Sequence, residues 1–398
     1  MTLDVVSLRA EFPLLARTLA GQRLVHLDCA STAPRSRRVL ESIRRYHDEY
    51  TANVHRGVHP FAAEASAAYE AVRHVVATHV GASPAEVVFV RGTTEAINLV
   101  AAGLMLREGD EVVVTHAEHH SNSLPWRARA TLRAVPSNDD GSPRWDRLGA
   151  QFGPRTRVCA VHHASNVLGG IAPLREIVAL AHAHGVPVLV DGAQGAGHLA
   201  VDLEALDCDF YAFSGHKLGA PAGSGVLVAR NGWLDRLEPT QWGGGMVATV
   251  RDDAIELRDG PHRFEPGTPN VEGVLGLAAA LGLLREVGMD AVQAHGRELA
   301  AALLDGCRTL PGVRVLGDAA SARIPLVSLV LPERGLDAET VARTIADASG
   351  ILVSAGRHCA HGLHDRCGAA ATLRASAWLV NDLDDVARFV AALRPLIA

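Results

Sequence analysis

The residue whose chemistry stands out most in this 398-residue chain is Lys217, its only lysine beside 37 arginines. Either residue can serve as a surface cation, but a guanidinium stays protonated and cannot condense with an aldehyde as an amine can. Lys217 follows His216 directly and comes just after the apolar run 210–213. Chance retention of one lysine is the alternative explanation. Its position favours a lysine that bonds covalently to a carbonyl compound.

Two polar groups beside Lys217 could bind a phosphate while the amine reaches the aldehyde, namely Ser214 and His216. A second anion site is predicted at Thr93 and Thr94, between a strand and a helix, because a helix N-terminus offers free N–H groups and a favourable dipole. An ordinary N-cap is the simpler alternative there.

Asp191 ends a buried apolar run, where a carboxylate is costly unless it meets a cation or hydrogen-bond donors. A protonated pyridine nitrogen would be such a partner, although Asp191 could also cap the following helix. Together, the three clusters around residues 93, 191 and 217 favour a phosphorylated pyridine aldehyde as the ligand.

A second reactive group is predicted at Cys359, which follows Arg357 and His358. Basic neighbours favour the thiolate, which is the nucleophilic form of cysteine. Two alternatives remain open at this stage. Close Cys and His residues can ligate zinc, and here they are Cys359, His361, His364 and Cys367. A buried structural thiol is the other alternative, and it suits Cys159 and Cys208 better because both lie in or beside apolar strands.

The elements that would position these residues follow an α/β pattern. Predicted strands cover 87–90, 111–115, 158–161, 186–190, 210–213 and 225–228, and predicted helices lie near 94–106, 121–133 and 173–184. Short apolar strands joined by helices indicate a mostly parallel sheet covered on both faces. Ligands of such sheets bind beyond the carboxyl ends of the strands, where the polar clusters lie.

The pattern changes near residue 285, which predicts two domains. Residues 20–285 would form the large domain, and residues 1–19 and 286–398 a smaller α+β domain carrying the Cys359 loop. In the small domain we predict strands at 313–316, 326–331 and 351–354 and helices up to 310, at 337–349 and at 382–394.

Composition excludes several classes of protein. The net charge is -6 and no basic run carries interleaved aromatics, so we expect no nucleic-acid partner. The longest apolar stretch, 274–284, is too short to span a bilayer, and no signal peptide is expected at the start. Six scattered cysteines indicate free thiols, and we expect a cytoplasmic protein.

Four segments carry a resemblance to a known family. They are Arg-Gly-Thr-Thr-Glu-Ala-Ile-Asn at 91–98, Glu-His-His at 118–120, Asp-Gly-Ala-Gln at 191–194 and Ser-Gly-His-Lys at 214–217. They resemble fold-type I enzymes of aminotransferase class V, which use pyridoxal 5′-phosphate (PLP), and more closely the group II cysteine desulfurases and selenocysteine lyases. The resemblance runs over residues 12–393.

The resemblance implies a cofactor site. Lys217 would bond to the cofactor aldehyde, Asp191 would pair with the pyridine nitrogen, Gln194 would hydrogen-bond the phenolic oxygen, and His119 would stack on the ring and move protons. The phosphate ligands would be Thr94, Ser214 and His216, with Thr93 close by. Thr268 would reach the phosphate of a neighbouring subunit, which implies an obligate homodimer with shared active sites.

The resemblance also implies a reaction, in which L-cysteine becomes L-alanine and Cys359 carries the sulfur as a persulfide to an acceptor protein. Arg374 would bind the substrate carboxylate, and Asn166 would join it there or contact the cofactor ring. His55 and Arg56 would lie near the mouth of the site. No metal is implied. A selenocysteine lyase, a C–S lyase on a cysteine conjugate, a class V epimerase and a non-catalytic sulfur carrier are the alternatives.

The sequence departs from the family around the sulfur loop. The family usually has Arg in place of Ser354, His in place of Arg357 and Pro in place of Gly362, and its aromatic-rich stretch is Trp-Leu-Val-Asn-Asp at 378–382 here. These changes leave the predicted cofactor residues in place. They concern the substrate and the sulfur acceptor, as in a specialised paralogue.

Overall fold

The computed structural model describes residues 3–19, 21–318, 320–332 and 337–397. The strands are β1 Thr18–Leu19, β2 Gln22–Arg23, β3 Val25–His26, β4 Val87–Val90, β5 Glu111–Thr115, β6 Thr131–Val135, β7 Thr156–His162, β8 Val188–Asp191, β9 Phe210–Ser214, β10 Gly225–Ala229, β11 Val247–Arg251, β12 Ala254–Leu257, β13 Arg314–Val315, β14 Leu326–Val330, β15 Ile351–Leu352, β16 Ser354–Gly356 and β17 Thr372–Ser376. The α-helices are α1 Val5–Ala10, α2 Arg37–Glu49, α3 Pro60–Val80, α4 Thr93–Gly103, α5 Leu124–Arg127, α6 Leu174–Ala183, α7 Leu203–Leu206, α8 Trp233–Arg236, α9 Val271–Val287, α10 Met289–Arg308, α11 Ala338–Ser349, α12 His361–Arg366 and α13 Leu383–Ile397.

The large domain is built on a seven-stranded sheet in the order β4-β10-β9-β8-β7-β5-β6. Strands β5 to β9 run parallel to one another. Alternate residues face two different hydrophobic clusters, so that Val113 faces one cluster while Val112 and Val114 face the other. A sheet buried on both faces requires such apolar runs, and the predicted mostly parallel α/β sheet is confirmed.

Strand β10 is the exception, since it runs antiparallel to both β9 and β4. Only a short connection separates β9 from β10, and a parallel return needs a crossover of a dozen residues or more. The glycine-rich connection therefore turns the chain straight back beside the lysine.

The helix predicted over 121–133 is wrong in most of its length. A 3-10 turn, His120–Asn122, and the four-residue α5 are followed by β6, whose burial alternates along the strand. Apolar residues at 130, 132 and 134 alternate with polar ones, which suits the period of a strand at the sheet edge. Such a short alternation is hard to distinguish from a helical pattern in the sequence alone.

The small domain has an antiparallel sheet in the order β13-β14-β17-β16, covered by α10, α11 and α13 around a separate hydrophobic cluster. Near the start of the chain, Arg9 pairs with Asp385 of α13 at 3.1 Å, while Leu8, Phe12 and Leu15 belong to a hydrophobic cluster shared with the large domain. Strand β3 also joins this domain, in parallel with β15. The domain boundary at residue 20 stays a prediction.

Within the described residues, no helix combines the length and the hydropathy needed to cross a bilayer. All six cysteines are free thiols, and Cys359 is exposed while the other five are buried. Cys159 and Cys208 are therefore buried thiols in the large domain, as expected of structural cysteines.

Candidate active site

Lys217 lies in a 3-10 turn, Gly215–Leu218, that begins where β9 ends. The residue is half-buried. Burial lowers the pKa of Lys217, Asp191 raises it, Arg374 lowers it and Cys359 raises it. Asp191, Arg374 and Cys359 therefore all lie close enough to Lys217 for their charges to act on its amine. The structure therefore brings together residues that are far apart in the sequence.

Asp191 is the last residue of β8 and is buried, with 6% of its surface exposed. Its Oδ1 accepts the N–H of Ala193 at 2.9 Å. Burial raises the pKa of Asp191, and the charge of Lys217 opposes that rise. Beside it, the Nε2 of Gln194 donates to the carbonyl of Ala30 at 2.9 Å. A carboxylate in this position is stabilised by any cation that binds next to it.

The start of α4 and the end of β9 meet at the hydroxyl of Ser214. That oxygen accepts the backbone N–H of Thr93 at 2.8 Å and lies 2.8 Å from the Thr93 hydroxyl. Gly225 permits this approach, because a Cβ there would lie 2.4 Å from the Cα of Gly92. The first N–H of an eleven-residue helix and two hydroxyls thus meet at the same point.

A cleft of about 970 Å³ opens beside this point. Its walls include Gly92, Thr94, Ser214, His216 and Thr268. Thr94 and Thr268 are exposed. Burial lowers the pKa of His216 to about 4, with Lys217 adding to the effect, so its imidazole is neutral at pH 7 and can offer one N–H.

His119 follows β5 and begins the 3-10 turn His120–Asn122. Its Nδ1 accepts the backbone N–H of Ser121 at 3.1 Å, which leaves the ring proton on Nε2. Burial lowers the pKa of His119 to about 4, and Lys217 contributes to this shift. A neutral imidazole with a proton on Nε2 therefore lies next to the lysine.

Arg374 projects from β17 and is buried, with 4% of its surface exposed. Its guanidinium donates to the carbonyl of Asn166 at 3.0 Å and to the hydroxyl of Ser31 at 2.7 Å. Nε has no hydrogen-bond partner within the described part of the chain. Burial lowers the pKa of Arg374, and Asp28 opposes this effect. A buried cation with an unpaired donor fits a carboxylate ligand.

Cys359 lies in a strained loop. His358 and Cys359 both have left-handed backbones, with φ of 46° and 55°, a conformation that costs a non-glycine residue roughly 1–2 kcal/mol. The N–H of His120 donates to the Cys359 carbonyl at 2.8 Å, and the Asn166 amide donates to the His358 carbonyl at 2.9 Å. These bonds fix the loop while the thiol stays exposed.

A hydrogen-bond chain supports the same loop from the small domain. Nδ1 of His364 donates to the carbonyl of Ala360 at 3.0 Å, so its Nε2 must accept the hydroxyl proton of Thr372, 3.1 Å away. The Thr372 oxygen can then accept from Nε2 of His358 at 3.0 Å. Burial lowers the pKa of His358 to about 3, so this ring is neutral.

The two basic residues that were expected to favour the Cys359 thiolate do not act as free cations in the structure. Arg357 pairs with Asp365 and with the carbonyl of His361, and His358 is neutral. The zinc alternative at the sulfur loop also finds no support, because the ligand atoms of its four residues do not converge among the described residues.

The structure does not place His55 among the groups around Lys217. Its Nε2 lies 2.8 Å from Oε1 of Glu70, and its ring contacts Tyr69 and His262. Arg56 lies against Gly244 instead. The roles predicted for His55 and Arg56 at the mouth of the site stay predictions.

Sequence reasoning missed residues that position the substrate side of the site. Ser31 and Asp28 hydrogen-bond Arg374, and the stacked rings of His120 and His361 lie beside the Cys359 loop with ring nitrogens 3.1 Å apart. Ser31 and Asp28 lie outside every motif named above, whereas His120 belongs to the Glu-His-His segment and His361 to the zinc alternative, without a role predicted for either at the Cys359 loop. Only the repeated histidines near 120 and 361 offered a signal.

Comparison with known proteins identifies the family. The model of the aminotransferase class-V family matches residues 25–389. A probable cysteine desulfurase of Halalkalibacterium halodurans is 41% identical over 94% of this chain and 93% of its own length. A cysteine desulfurase of Klebsiella pneumoniae is 41% identical over 99% of this chain and 98% of its own length.

Solved structures agree with this result. The apo cysteine desulfurase of Thermococcus onnurineus superposes with a TM-score of 0.93 at 33% identity, covering 100% of this chain and 98% of its own. The cysteine desulfurase CsdA of Escherichia coli, in an S-sulfonic acid form, gives a TM-score of 0.89 at 36% identity and covers 100% and 99% of the two chains. The chain therefore belongs to the aminotransferase class-V family and, within it, to the cysteine desulfurases.

Proposed function

We propose that this chain is a PLP-dependent cysteine desulfurase that converts L-cysteine to L-alanine and receives the sulfur on Cys359 as a persulfide. The observation that carries the proposal is the grouping of one amine, one buried carboxylate, one buried guanidinium and one exposed thiol. These are Lys217, Asp191, Arg374 and Cys359, and the charges of the last three act on Lys217.

The residues present fit the cofactor. Asp191 is buried with a raised pKa and gains from an adjacent cationic ring nitrogen. Ser214, His216 and the start of α4 supply donors for a phosphate, with Thr93 and Thr94 adjoining. Gln194 lies beside Asp191. When bound, PLP withdraws electrons from the bonds at the substrate Cα.

Arg374 and Asn166 would bind and orient the substrate carboxylate. The unpaired Nε of Arg374 and its neighbouring N–H groups offer a fork that matches the two carboxylate oxygens. Lys217, whose pKa is lowered by burial, would take the proton from the substrate Cα. His119 would hold a proton on Nε2 for return to the product.

The sulfur step needs only the thiol of this chain. The Sγ of Cys359, as a thiolate, would attack the substrate sulfur, so that a sulfur–sulfur bond forms while the carbon–sulfur bond breaks. The released carbon takes up protons and leaves as alanine. L-cysteine and one thiol thus give alanine and one persulfide, without an external oxidant or reductant.

The oligomeric state, the sulfur acceptor and the cellular compartment belong to the same proposal. Thr268 is exposed and lines the same cleft as Ser214 and His216, and we propose that it serves the phosphate site of a second copy in a homodimer with shared sites. The exposed persulfide of Cys359 would pass its sulfur to an acceptor protein. Free thiols agree with a reducing compartment, so we place the enzyme in the cytoplasm.

A substrate panel tests the proposal. The PLP-loaded protein is incubated with L-cysteine, L-selenocysteine and S-substituted cysteines, with and without reductant, and alanine, sulfide or selenide, and thiol products are quantified. We expect alanine from L-cysteine and a Cys359 peptide heavier by one sulfur atom. Exclusive turnover of selenocysteine or of a conjugate would replace the proposed activity with one of its alternatives, as would epimerisation without C–S cleavage.

The variant Cys359→Ser should keep the absorption spectrum of the bound cofactor and lose persulfide formation, because the hydroxyl cannot accept sulfur in this way. The matched control is Cys367→Ala, which removes a buried thiol of the same domain outside the site. Release of sulfide from L-cysteine by Cys359→Ser at the parent rate would contradict the role of Cys359.

A further inference from the structure

Two histidines and a glutamate meet at a point on the large domain apart from Lys217. Nε2 of His55 lies 2.8 Å from Oε1 of Glu70, and Nε2 of His262 lies 3.3 Å from the same oxygen. One ligand atom from each residue lies within 4.8 Å of the other two. The residues come from the loop before α3, from α3 and from the 3-10 turn Gly260–Phe264, so the tertiary fold creates the cluster.

The net charge of the groups around the cluster favours a bound cation. Arg73 is buried, and its guanidinium is held by Glu265 through two bonds of 2.8 and 2.7 Å as well as by Glu70 at 2.8 Å. Two carboxylates therefore share one guanidinium. One negative charge remains in excess.

The imidazoles can present lone pairs to a metal. Neither Nδ1 of His55 nor Nδ1 of His262 has a hydrogen-bond partner in the described residues, so the ring proton can move to Nδ1 and free Nε2. The backbone of His55 is left-handed, with φ of 66°, and its N–H donates to the Ser66 hydroxyl at 2.8 Å. This strained loop holds the ring against Glu70.

We propose that His55, Glu70 and His262 form a Zn²⁺ site, with water as the fourth ligand. Zinc takes nitrogen and oxygen ligands at about 2.0–2.1 Å in a tetrahedron, which places ligand atoms roughly 3.3 Å apart. The observed separations of 2.8 and 3.3 Å need only small side-chain shifts. A groove lined in part by Glu70, His74 and His262 gives solvent access to the ion.

Bound zinc would connect the loop that carries Arg56 to the turn Gly260–Phe264 through a third segment, α3. The consequence is structural, since the ligand set would replace hydrogen bonds with coordinate bonds between three separate parts of the chain. The test of this zinc site does not use enzyme activity, so its outcome and that of the proposed function can be told apart.

Zinc titration against a chromophoric chelator tests the proposal, with the full-length PLP-loaded protein in a Cys359→Ser background so that the exposed thiol does not compete. We expect one zinc per chain and a loss of affinity of roughly a hundredfold or more in His262→Phe, since one of three protein ligands is gone. His74→Phe removes an exposed histidine of the same groove and should bind zinc like the parent.

Near-ultraviolet circular dichroism checks that each variant is folded. If His262→Phe does not fold, Glu70→Gln takes its place, because the amide keeps the shape of the side chain and removes its charge. Failure of the parent to bind zinc, or unchanged affinity in the folded variant, would overturn the proposal. Anomalous scattering at the zinc edge from soaked crystals should place the ion between His55 and His262.

Discussion

The two sides of the active site are held in different ways. On the large-domain side, Lys217, Asp191 and Ser214 lie at or just after the ends of buried strands, in short turns that the sheet fixes. On the small-domain side, Cys359 lies in a left-handed loop held by hydrogen bonds from Asn166 and His120. The sheet thus fixes the residues of the cofactor side, whereas the conformation of the sulfur loop depends on a few side-chain and backbone hydrogen bonds.

The strongest test of this contrast is Lys217→Ala. Removing the only lysine side chain takes away both the covalent attachment and the general base, so we expect a loss of turnover of roughly 10⁴-fold or more. Unfolding midpoints should stay near the parent value, since the sheet does not depend on this side chain. Steady-state alanine production and thermal unfolding check both results, and turnover within tenfold of the parent would show that another group is the base.

Arg374→Lys should have the next largest effect. A lysine cannot reproduce the planar fork, so we expect kcat/KM for L-cysteine to fall roughly 10- to 100-fold, mainly through KM. The absorption spectrum of the bound cofactor should not change. Arg9→Lys is a matched control on the small-domain side, because it alters an ion pair with Asp385 outside the site. Equal kinetic effects of the two substitutions would contradict carboxylate binding by Arg374.

Thr372→Val tests the hydrogen bonds on the sulfur side of the site alone. The substitution keeps the shape of a buried side chain but removes the oxygen that links His358 and His364. We expect a loss of about 1–3 kcal/mol in the free energy of unfolding and a slower formation of the Cys359 persulfide, with cofactor binding unchanged. Rapid-quench mass spectrometry and denaturant titration measure the two effects. A variant that loses cofactor instead would show that the two sides are not separable.

The smallest effect concerns the large-domain side at acid pH. Burial lowers the pKa of His198 to about 4, and its ordinary value is 6.5. Below pH 6.5 the unfolded chain therefore binds a proton that the folded chain refuses, so the free energy of unfolding falls as the pH drops toward 4. This histidine contributes up to about 3 kcal/mol of that fall. His198→Gln should flatten the pH dependence measured by denaturant titration, and an identical slope would contradict it.

The difference between the two sides of the active site also explains which site residues the sequence could predict. Lys217, Asp191 and Ser214 follow apolar strands directly, so local patterns placed them at one edge of a parallel sheet, and the structure brings them together. The bonds of Arg374 to Ser31 and Asn166 join segments 343 and 208 residues apart, and no local pattern encodes such pairings. The zinc alternative near Cys359 could not be decided from spacing alone for the same reason, since spacing along a loop does not fix where side chains converge.

Local patterns also failed where two periods compete. Residues 121–133 contain alternating small and polar residues that suit either a helix or a strand, and the parallel pairing of β6 with β5 decided the outcome. Arg357 was expected to activate Cys359 because it is a neighbour in sequence, yet it turns to Asp365. Nearness along the chain is a weak guide in an irregular loop.

The most direct measurement uses the fact that the chain has one lysine. The purified protein is loaded with PLP, reduced with borohydride, digested and mapped by mass spectrometry. The account predicts one pyridoxyl group per chain, on the peptide that contains Lys217, and none in Lys217→Ala. A protein that carries no label after loading, or one that is labelled only at its N-terminal amine, would contradict the account.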